Sequence, residues 1–435
     1  MSEIINYLHE VPIGWEIVSI NDTFSSISLN GIKIKQKSYL TSGKYAVVDQ
    51  GQELIGGYYN DEKLLVNCEP PCVVFGDHTK AIKYITFRFI PGADGVKVLK
   101  PINPLNPKLF FYFLQCIKLP DKGYSRHFQF INHAEFPLPP PAEQQRIVTK
   151  IEELFSDLDK GIETLKTAKE QLKVYRQAVL KYAFEGKLTN PDVKEGELPE
   201  GWNESTIKDV CLNIKVGIVI KPTNYYSNNG LGVKAFRSAN VREFKVNDTN
   251  WVRFSVEANE QNFRTQVFTG DVLIVRSGYP GTSCVVTEQF SGCNAIDILI
   301  ATPQKELLLP EYLCAFNNSP LGKGMFAENS RGVAQKHLNV GEYSKLKIFI
   351  PELTEQRAIL DEIESRLSIC DKIEASIVQG LQQAEALRQS ILKKAFEGKL
   401  VPQDPNDEPA HVLFERIKSE RAAAQPVKKQ KKAKV

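Results

Sequence analysis

The sequence lacks most of what would mark an enzyme or a membrane protein. No apolar run approaches the roughly 18 residues a membrane span needs, and the opening MSEIINYLHEVPIGW has no charged segment leading into an apolar one, so it does not read as a signal peptide. No phosphate-cradling GxxxxGKS/T occurs, no glycine-rich dinucleotide fingerprint follows a strand, and HExxH and NPPF/Y are absent. A stand-alone nucleotide-dependent, zinc-hydrolytic or methyl-transferring enzyme is therefore disfavoured. Charge of one sign is also missing: 55 basic and 52 acidic residues leave a formal charge of +3. If such a chain binds nucleic acid, its basic residues are clustered or a partner supplies much of the phosphate affinity. The eight cysteines (Cys68, Cys72, Cys116, Cys211, Cys284, Cys293, Cys314 and Cys370) form no paired CxxC groups. Cys68 and Cys72 with His78 lack the second pair a zinc site requires. Asp77 and His78 have no identifiable nucleophile beside them. These features together read as a soluble cytoplasmic protein with free thiols.

What is present is a duplication. Glu143-Gln144 through Ala183-Phe-Glu-Gly-Lys-Leu188 matches Glu355-Gln356 through Ala395-Phe-Glu-Gly-Lys-Leu400 without a gap, each position 212 residues from its twin. About 19 of the 46 positions are identical, far beyond chance, so one element is used twice. A weaker repeat opens each half: Pro12-Ile-Gly-Trp15 with Ile20 and Asp22, and Pro199-Glu-Gly-Trp202 with Ile207 and Asp209, 187 residues apart. The two offsets differ by 25, so the blocks between the repeats differ in length as well as in sequence. At roughly 100–200 residues per domain, the 435 residues with 42% hydrophobic content make two to three domains with real cores.

The repeated element reads as a long helix. Pro137, Pro139, Pro140 and Pro141 close whatever precedes it. From Glu143 to about Glu185 there is no proline and one glycine, Gly161, and Gly186 is suited to the position after the last turn. Ile147, Ile151, Leu154, Leu158, Leu165, Ala168, Leu172, Tyr175, Val179 and Tyr182 alternate at four and three, the seam of a coiled coil. At 1.5 Å per residue, about 43 residues make roughly 65 Å of helix. The second copy carries Ile359, Ile363, Cys370, Ile373, Ile377, Gly380, Ala384, Leu387 and Ile391, with Arg366 and Lys394 at seam positions. The simplest partner for one copy is the other, antiparallel. Ile151 then faces Ile391, Val179 faces Ile363, and each glycine faces a large apolar residue.

The variable blocks read as α+β. Tyr45–Asp49, Cys72–Phe75 and Lys83–Phe89 are strand-like, and Pro107–Ile117 is a buried helix capped by Asn106. In the second block, Gly270–Arg276 is a strand leading into the turn Ser277-Gly-Tyr-Pro-Gly281, and Pro310–Phe316 starts a helix like the first. The linker 189–200 is polar and turn-rich. The charged tail from about 402, ending Lys428-Lys429-Gln-Lys431-Lys432-Ala-Lys434, is expected to be solvated chain with some non-specific contact to phosphates.

Paired PxGW starts, a proline-rich segment running into EQxxI, two long helices and a repeated AFEGKL resemble the specificity subunit of type I restriction–modification systems. Gln335-Lys-His-Leu-Asn339 is similar to that family's exit from its second block, with Phe128-Gln-Phe-Ile-Asn132 a shortened version in the first. The resemblance implies an α+β protein in which two target recognition domains of similar fold are separated by two long helices forming an antiparallel coiled coil. The divisions become 1–142, first recognition domain; 143–188, first spacer helix; 189–350, linker and second recognition domain; 351–400, second spacer helix; and 401–435, charged tail. Each domain would read half of a split sequence in double-stranded DNA. The helices would act as a ruler and dock two methyltransferase subunits, to which restriction subunits can join. The chain itself would be non-catalytic and hold no metal or cofactor, and S-adenosylmethionine would belong to the methyltransferase. The alternative is a coiled-coil adaptor joining two proteins without DNA preference.

Base edges are read by Arg, Lys, Asn and Gln, while phosphate contacts set register. The candidate DNA-contacting residues are Lys80, Lys83, Arg126, His127 and Gln129 in the first block, and Arg276, Ser277, Tyr279, Arg331, Gln335 and Lys336 in the second. They occupy turns after buried strands or basic loops without a core pattern.

Overall fold

The computed structural model describes residues 11–424 apart from 93, 121, 122, 124, 195 and 329–337. Arg331, Gln335, Lys336 and the lysines of 428–434 therefore lie outside the described residues. The first half contains β1 (Glu16–Ser19), β2 (Phe24–Ile27), β3 (Tyr45–Val48), β4 (Gly57–Tyr59), β5 (Cys72–Gly76), β6 (Ile82–Ile85), β7 (Phe89–Pro91), β8 (Val96–Pro101), α1 (Pro107–Cys116), α2 (Phe128–Ile131), β9 (Glu135–Leu138) and α3 (Pro141–Phe184). The second contains β10 (Asn203–Thr206), β11 (Cys211–Val216), β12 (Val233–Phe236), β13 (Val241–Arg242), β14 (Lys245–Val246), β15 (Val252–Phe254), α4 (Val256–Gln261), β16 (Val272–Val275), β17 (Ser283–Val285), β18 (Asn294–Ala295), β19 (Ile298–Pro303), α5 (Pro310–Asn318), α6 (Pro320–Glu328), α7 (Val340–Ser344), β20 (Lys347–Ile350), α8 (Leu353–Phe396) and α9 (Ala410–Ala424).

The two blocks share one topology. Each has an antiparallel four-stranded sheet, β2-β8-β5-β6 or β11-β19-β16-β17. Each has a three-stranded sheet, β4-β3-β7 or β15-β12-β18, in which β3–β7 and β12–β18 are parallel. Each is closed by a ribbon joining its first and last strands, β1–β9 or β10–β20. The central strands β5 and β16 are buried throughout, which is why their sequences run apolar without alternation. The extra length of the second block falls in the β13–β14 hairpin, in α4 and in α6. One expected strand is divided: Lys83–Phe89 breaks where the chain leaves β6 in one sheet and enters β7 in the other. Helix α1 begins as expected, with Asn106 Oδ1 accepting from the amides of Lys108 at 2.9 Å and Leu109 at 3.3 Å and Pro107 opening the first turn.

Helices α3 and α8 are each 44 residues long and each belongs to two compact units. One unit comprises residues 1–164 and 379–435, the other 165–378. In the first, the start of α3 (Ile147, Val148, Ile151, Phe155) shares a core with the end of α8 (Ile391, Leu392, Ala395, Phe396), and Asp159 pairs with Arg388. In the second, the end of α3 (Val179, Leu180, Ala183, Phe184) shares a core with the start of α8 (Ile359, Ile363), and Arg176 pairs with Asp371 at 2.6 Å. These ion pairs are repeat equivalents of each other. In both units the two segments run antiparallel, as expected.

The seam is half what the heptads led us to expect. Cys370, Ile377, Ala384 and Ile391 are buried, whereas Ile373 and Leu387 are 44% and 51% exposed. On α3, Tyr175 and Tyr182 are 45% and 47% exposed. Two helices alone cover one column of an apolar stripe and leave the other open. The expected fit around the first glycine also fails, because a Cβ on Gly161 would meet nothing within 4 Å.

Two buried glutamines fasten each block to its spacer. Gln144 Oε1 accepts the Asn106 amide at 3.0 Å and its Nε2 donates to Pro139 O at 3.0 Å. Gln356 Oε1 accepts the Leu309 amide at 2.9 Å, and its Nε2 donates to Leu307 O at 2.8 Å and Pro351 O at 2.9 Å. Each thus ties the start of α1 or α5 to the first turn of a long helix. The closing glycines adopt left-handed backbone, φ +76° at Gly186 and +68° at Gly398. Gly186 packs under Pro199 and Gly398 under Pro12, with room for no Cβ in either place. The opening tryptophans differ: Trp15 Nε1 donates to Glu143 Oε2 at 2.9 Å. Buried Trp202 Nε1 finds no partner among the described residues, because the equivalent carboxylate, Glu355, accepts from Thr189 at 3.1 Å and Asn190 at 2.7 Å.

The tail also differs from expectation. Residues 410–424 are not solvated chain but helix α9, with Ala410, Leu413 and Ile417 fully buried in the first unit's core. Among the described residues, no helix is long and apolar enough to cross a membrane.

Candidate nucleic-acid interface

In both blocks the end of the central strand meets the segment entering the short helix before the exit. In the first, the Asp77 carbonyl accepts the His127 amide at 2.9 Å, and the Asp77 carboxylate accepts the Phe128 amide at 2.8 Å. In the second, the Arg276 carbonyl accepts the Leu338 amide at 3.1 Å. The turn after β5 and the loop ahead of α2 are thereby held together, as are the turn after β16 and the approach to α7. These are the places where sequence reasoning put most of its candidates, and the fold gathers most of the described ones at one site per block.

Around Asp77, the His78 ring meets Ser125 O at 3.2 Å, and Thr79 Oγ1 donates to Gln50 O. Lys80 turns the chain with a left-handed backbone, φ +61°. Arg126 and Gln129 are exposed on neighbouring turns, with Gln129 Nε2 donating to Arg126 O at 3.0 Å. Two first-block candidates face inward instead. Lys83 is 5% exposed, donates to Asp49 O at 2.8 Å and lies 3.6 Å from the Asp49 carboxylate. Burial pulls its pKa down, against the pull of Asp49. His127 is fully buried, its Nδ1 3.1 Å from Asp77 O; a carbonyl only accepts, so this nitrogen carries the proton. Both hold the site's frame rather than presenting a group to a ligand.

In the second block, Tyr279 projects from the turn at 84% exposure, between Gly278 at φ +83° and Gly281 at φ +90°. Gly281 lies against the Phe326 ring, which leaves no space for a side chain there. Ser277 is half-buried. Arg276, expected to point outward, is spent internally: its Nε donates to Leu338 O at 2.9 Å and its Nη1 to Asp297 Oδ1 at 2.5 Å. That fixes Leu338, the first described residue after the segment holding Arg331, Gln335 and Lys336.

Sequence reasoning overlooked Gln50 and Ser125, which the turn after β3 and the loop ahead of α2 bring to Thr79 and His78, and it weighed His78 only for metal and acid–base roles. The only signal was the Asp49-Gln-Gly51 turn closing a strand. It also compared Phe128–Asn132 with Gln335–Asn339; among the described residues, α2 takes the place of α7, with Phe128 and Val340 at the same 212-residue offset as the long helices.

Two copies of one α+β module, each with a turn clamped at the same strand end, are built on shared helices. The chain belongs to the family described as the type I restriction modification DNA specificity domain, whose model matches residues 12–173 and 199–383. It is 29% identical over 310 residues to the type I restriction enzyme EcoBI specificity subunit of Escherichia coli, covering 66% of this chain and 65% of that one. Against the EcoKI specificity subunit of Escherichia coli strain K12 it is 28% identical over 313 residues, covering 68% and 65%. The match thus spans just under two thirds of the length of these curated relatives. In fold, it resembles a chain solved in work on complex assembly and conformational transition of the type I R-M system, with a TM-score of 0.68, 19% identity and coverage of 90% of this chain and 100% of that one. It also resembles the HsdS subunit from Thermoanaerobacter tengcongensis, with a TM-score of 0.51, 18% identity and coverage of 90% and 99%.

Proposed function

We propose that this chain is the non-catalytic DNA-reading subunit of a type I restriction–modification assembly in the cytoplasm. Each block reads one half of a bipartite sequence in double-stranded DNA. Two methyltransferase subunits dock on the chain and carry S-adenosylmethionine, and restriction subunits join through them. The observation that supports this best is the repeated clamp: in both blocks the carbonyl at the end of the central strand accepts an amide from the segment before the short helix, yet the site carries Lys80, Arg126 and Gln129 in one block and Ser277 and Tyr279 in the other. One framework with two different sets of side chains suits two different half-sites. A target base is swung out of the duplex for methylation by the enzyme that modifies it, so the reading subunit need only locate and grip. The open column of the helical stripe, with Tyr175, Tyr182 and Ile373 in one unit and Leu387 in the other, offers apolar surface to a partner.

The test is co-expression with the methyltransferase and mapping of methylated bases across a genome. The expected result is one split motif with a constant gap, and replacement of residues 16–136 by another family member's block changes one half only. An undivided motif, or a swap that alters both halves, overturns the proposal.

A further inference from the structure

Between β11 and β12 the second block raises two aliphatic side chains into solvent. Ahead of them the backbone is tied to the β18–β19 turn: the Ile218 amide donates to Ala295 O at 2.8 Å, and Ile218 O accepts the Asp297 amide at 3.1 Å. Gly217 permits this close approach, because a Cβ there would run into Ala295 O. Behind them Lys221 turns the chain with a left-handed backbone, φ +45°, and the Tyr225 and Tyr226 rings lie 5.8 and 6.1 Å from that of Phe254. Both feet of the stretch are thus fixed. Between them, Val219 and Ile220 are 52% and 79% exposed, and neither joins a core among the described residues. Single aliphatics scattered over a surface are ordinary; an adjacent pair on an anchored loop beside a candidate interface is not. Asp297, whose amide holds Ile218, also takes the Arg276 guanidinium at 2.5 Å, and Arg276 opens the turn that carries Ser277 and Tyr279. Counted from the paired strands, the matching stretch of the first block is Asn30-Gly-Ile-Lys33. There Asn30, Gly31 and Lys33 are exposed, and Ile32 packs against the core around Val48 and Phe89.

We infer that Val219 and Ile220 form an apolar reader peculiar to the second block, which meets the methyl group of a thymine in the major groove of its half-site. The inference rests on the DNA-reading function proposed above. The C5 methyl of thymine is the apolar group that base edges offer to a side chain. The minor groove presents no such group, and an aliphatic side chain entering it has to wedge between base steps. Confinement of the pair to one block argues against a protein occupant. Two copies of one methyltransferase would meet the same chemistry on both blocks, whereas two different half-sites call for different chemistry on each.

The experiment uses the complex with methyltransferase and duplexes carrying the mapped motif. In the half-site that survives the swap of residues 16–136, each thymine is replaced in turn by deoxyuridine, which lacks only the C5 methyl. The expected result is one replacement that weakens wild-type binding by about three- to fivefold, as for one methyl group returned to water. The double variant Val219→Ser, Ile220→Ser should bind that thymine duplex and its deoxyuridine counterpart alike, with the wild-type urea midpoint because neither side chain belongs to a core. Replacements in the other half-site should affect wild type and variant equally. A second half-site without thymine, no replacement that weakens the wild type, a deoxyuridine effect that persists in the variant, or a variant that fails to assemble with methyltransferase overturns the inference and leaves the reading function standing. A wild-type complex that does not select its motif overturns both.

Discussion

Gln356 is the most consequential single side chain in the second unit's frame. It is fully buried, and its amide satisfies three backbone groups from two elements: the Leu309 N–H, Leu307 O and Pro351 O. In Gln356→Ala the Leu309 amide loses its acceptor, at about 1–3 kcal/mol for a buried donor. The two carbonyls keep a second lone pair, so they add about 1 kcal/mol together. The total is about 2–4 kcal/mol, a large share of a domain's usual 5–15, and should appear as a lower urea midpoint with an unchanged slope. Gln144→Ala breaks two bonds rather than three and should cost less, in the first unit. Gln356→Glu separates hydrogen bonding from packing. Its carboxylate can still accept from Leu309, but its other oxygen faces two carbonyls in a buried place, which raises its folded pKa. A raised folded pKa means stability that is fully present below the unfolded carboxylate value of about 4.3 and lost as pH climbs through the folded value. Measured against wild type, Gln356→Glu should therefore be nearly neutral at low pH and increasingly destabilised toward pH 7. A pH-independent offset, or Gln356→Ala unfolding like wild type, would refute the reasoning.

Three further outcomes follow from the same geometry. Trp15→Phe removes a bond to buried Glu143 while Trp202→Phe removes an N–H without a partner, so the first should be the more destabilising by about 1–3 kcal/mol in paired denaturation curves. Burial raises the Glu143 pKa despite donors from Trp15 and Gln403, so its contribution fades as pH rises through the folded value; Glu143→Gln should gain on wild type between about pH 4 and 7 in a thermal-melt series. Gly398→Ala places a Cβ against Pro12 in left-handed backbone and should cost about 2 kcal/mol or more, read by denaturation.

The duplication, the long helices, the antiparallel pairing and the Asn106 cap were legible because each leaves a local or periodic mark. Sheet membership leaves none: nothing in Lys83–Phe89 says that the chain changes sheets midway. Seam spacing shows which residues are apolar but not how many helices share them, so the exposure of Ile373 and Leu387 was hidden. Lys83, His127 and Arg276 were taken for outward-facing groups because basic residues at strand ends and in loops without a core pattern usually are. Their acceptors, Asp49 O, Asp77 O and Leu338 O, are brought in by the fold from 34, 50 and 62 residues away. Helix α9 was masked by its charge, since three buried side chains, Ala410, Leu413 and Ile417, suffice to dock it.

Pro12 rests on Gly398 and Pro199 on Gly186, so each opening tetrapeptide is seated on the closing hexamer of the opposite copy. A gene half this size would encode both members of that contact, and two identical products would satisfy one another reciprocally. Tandem fusion of such genes needs only a short joint, which residues 189–198 provide. On the proposed function, either block can be exchanged while this joinery stays fixed, so that one half of the target changes at a time.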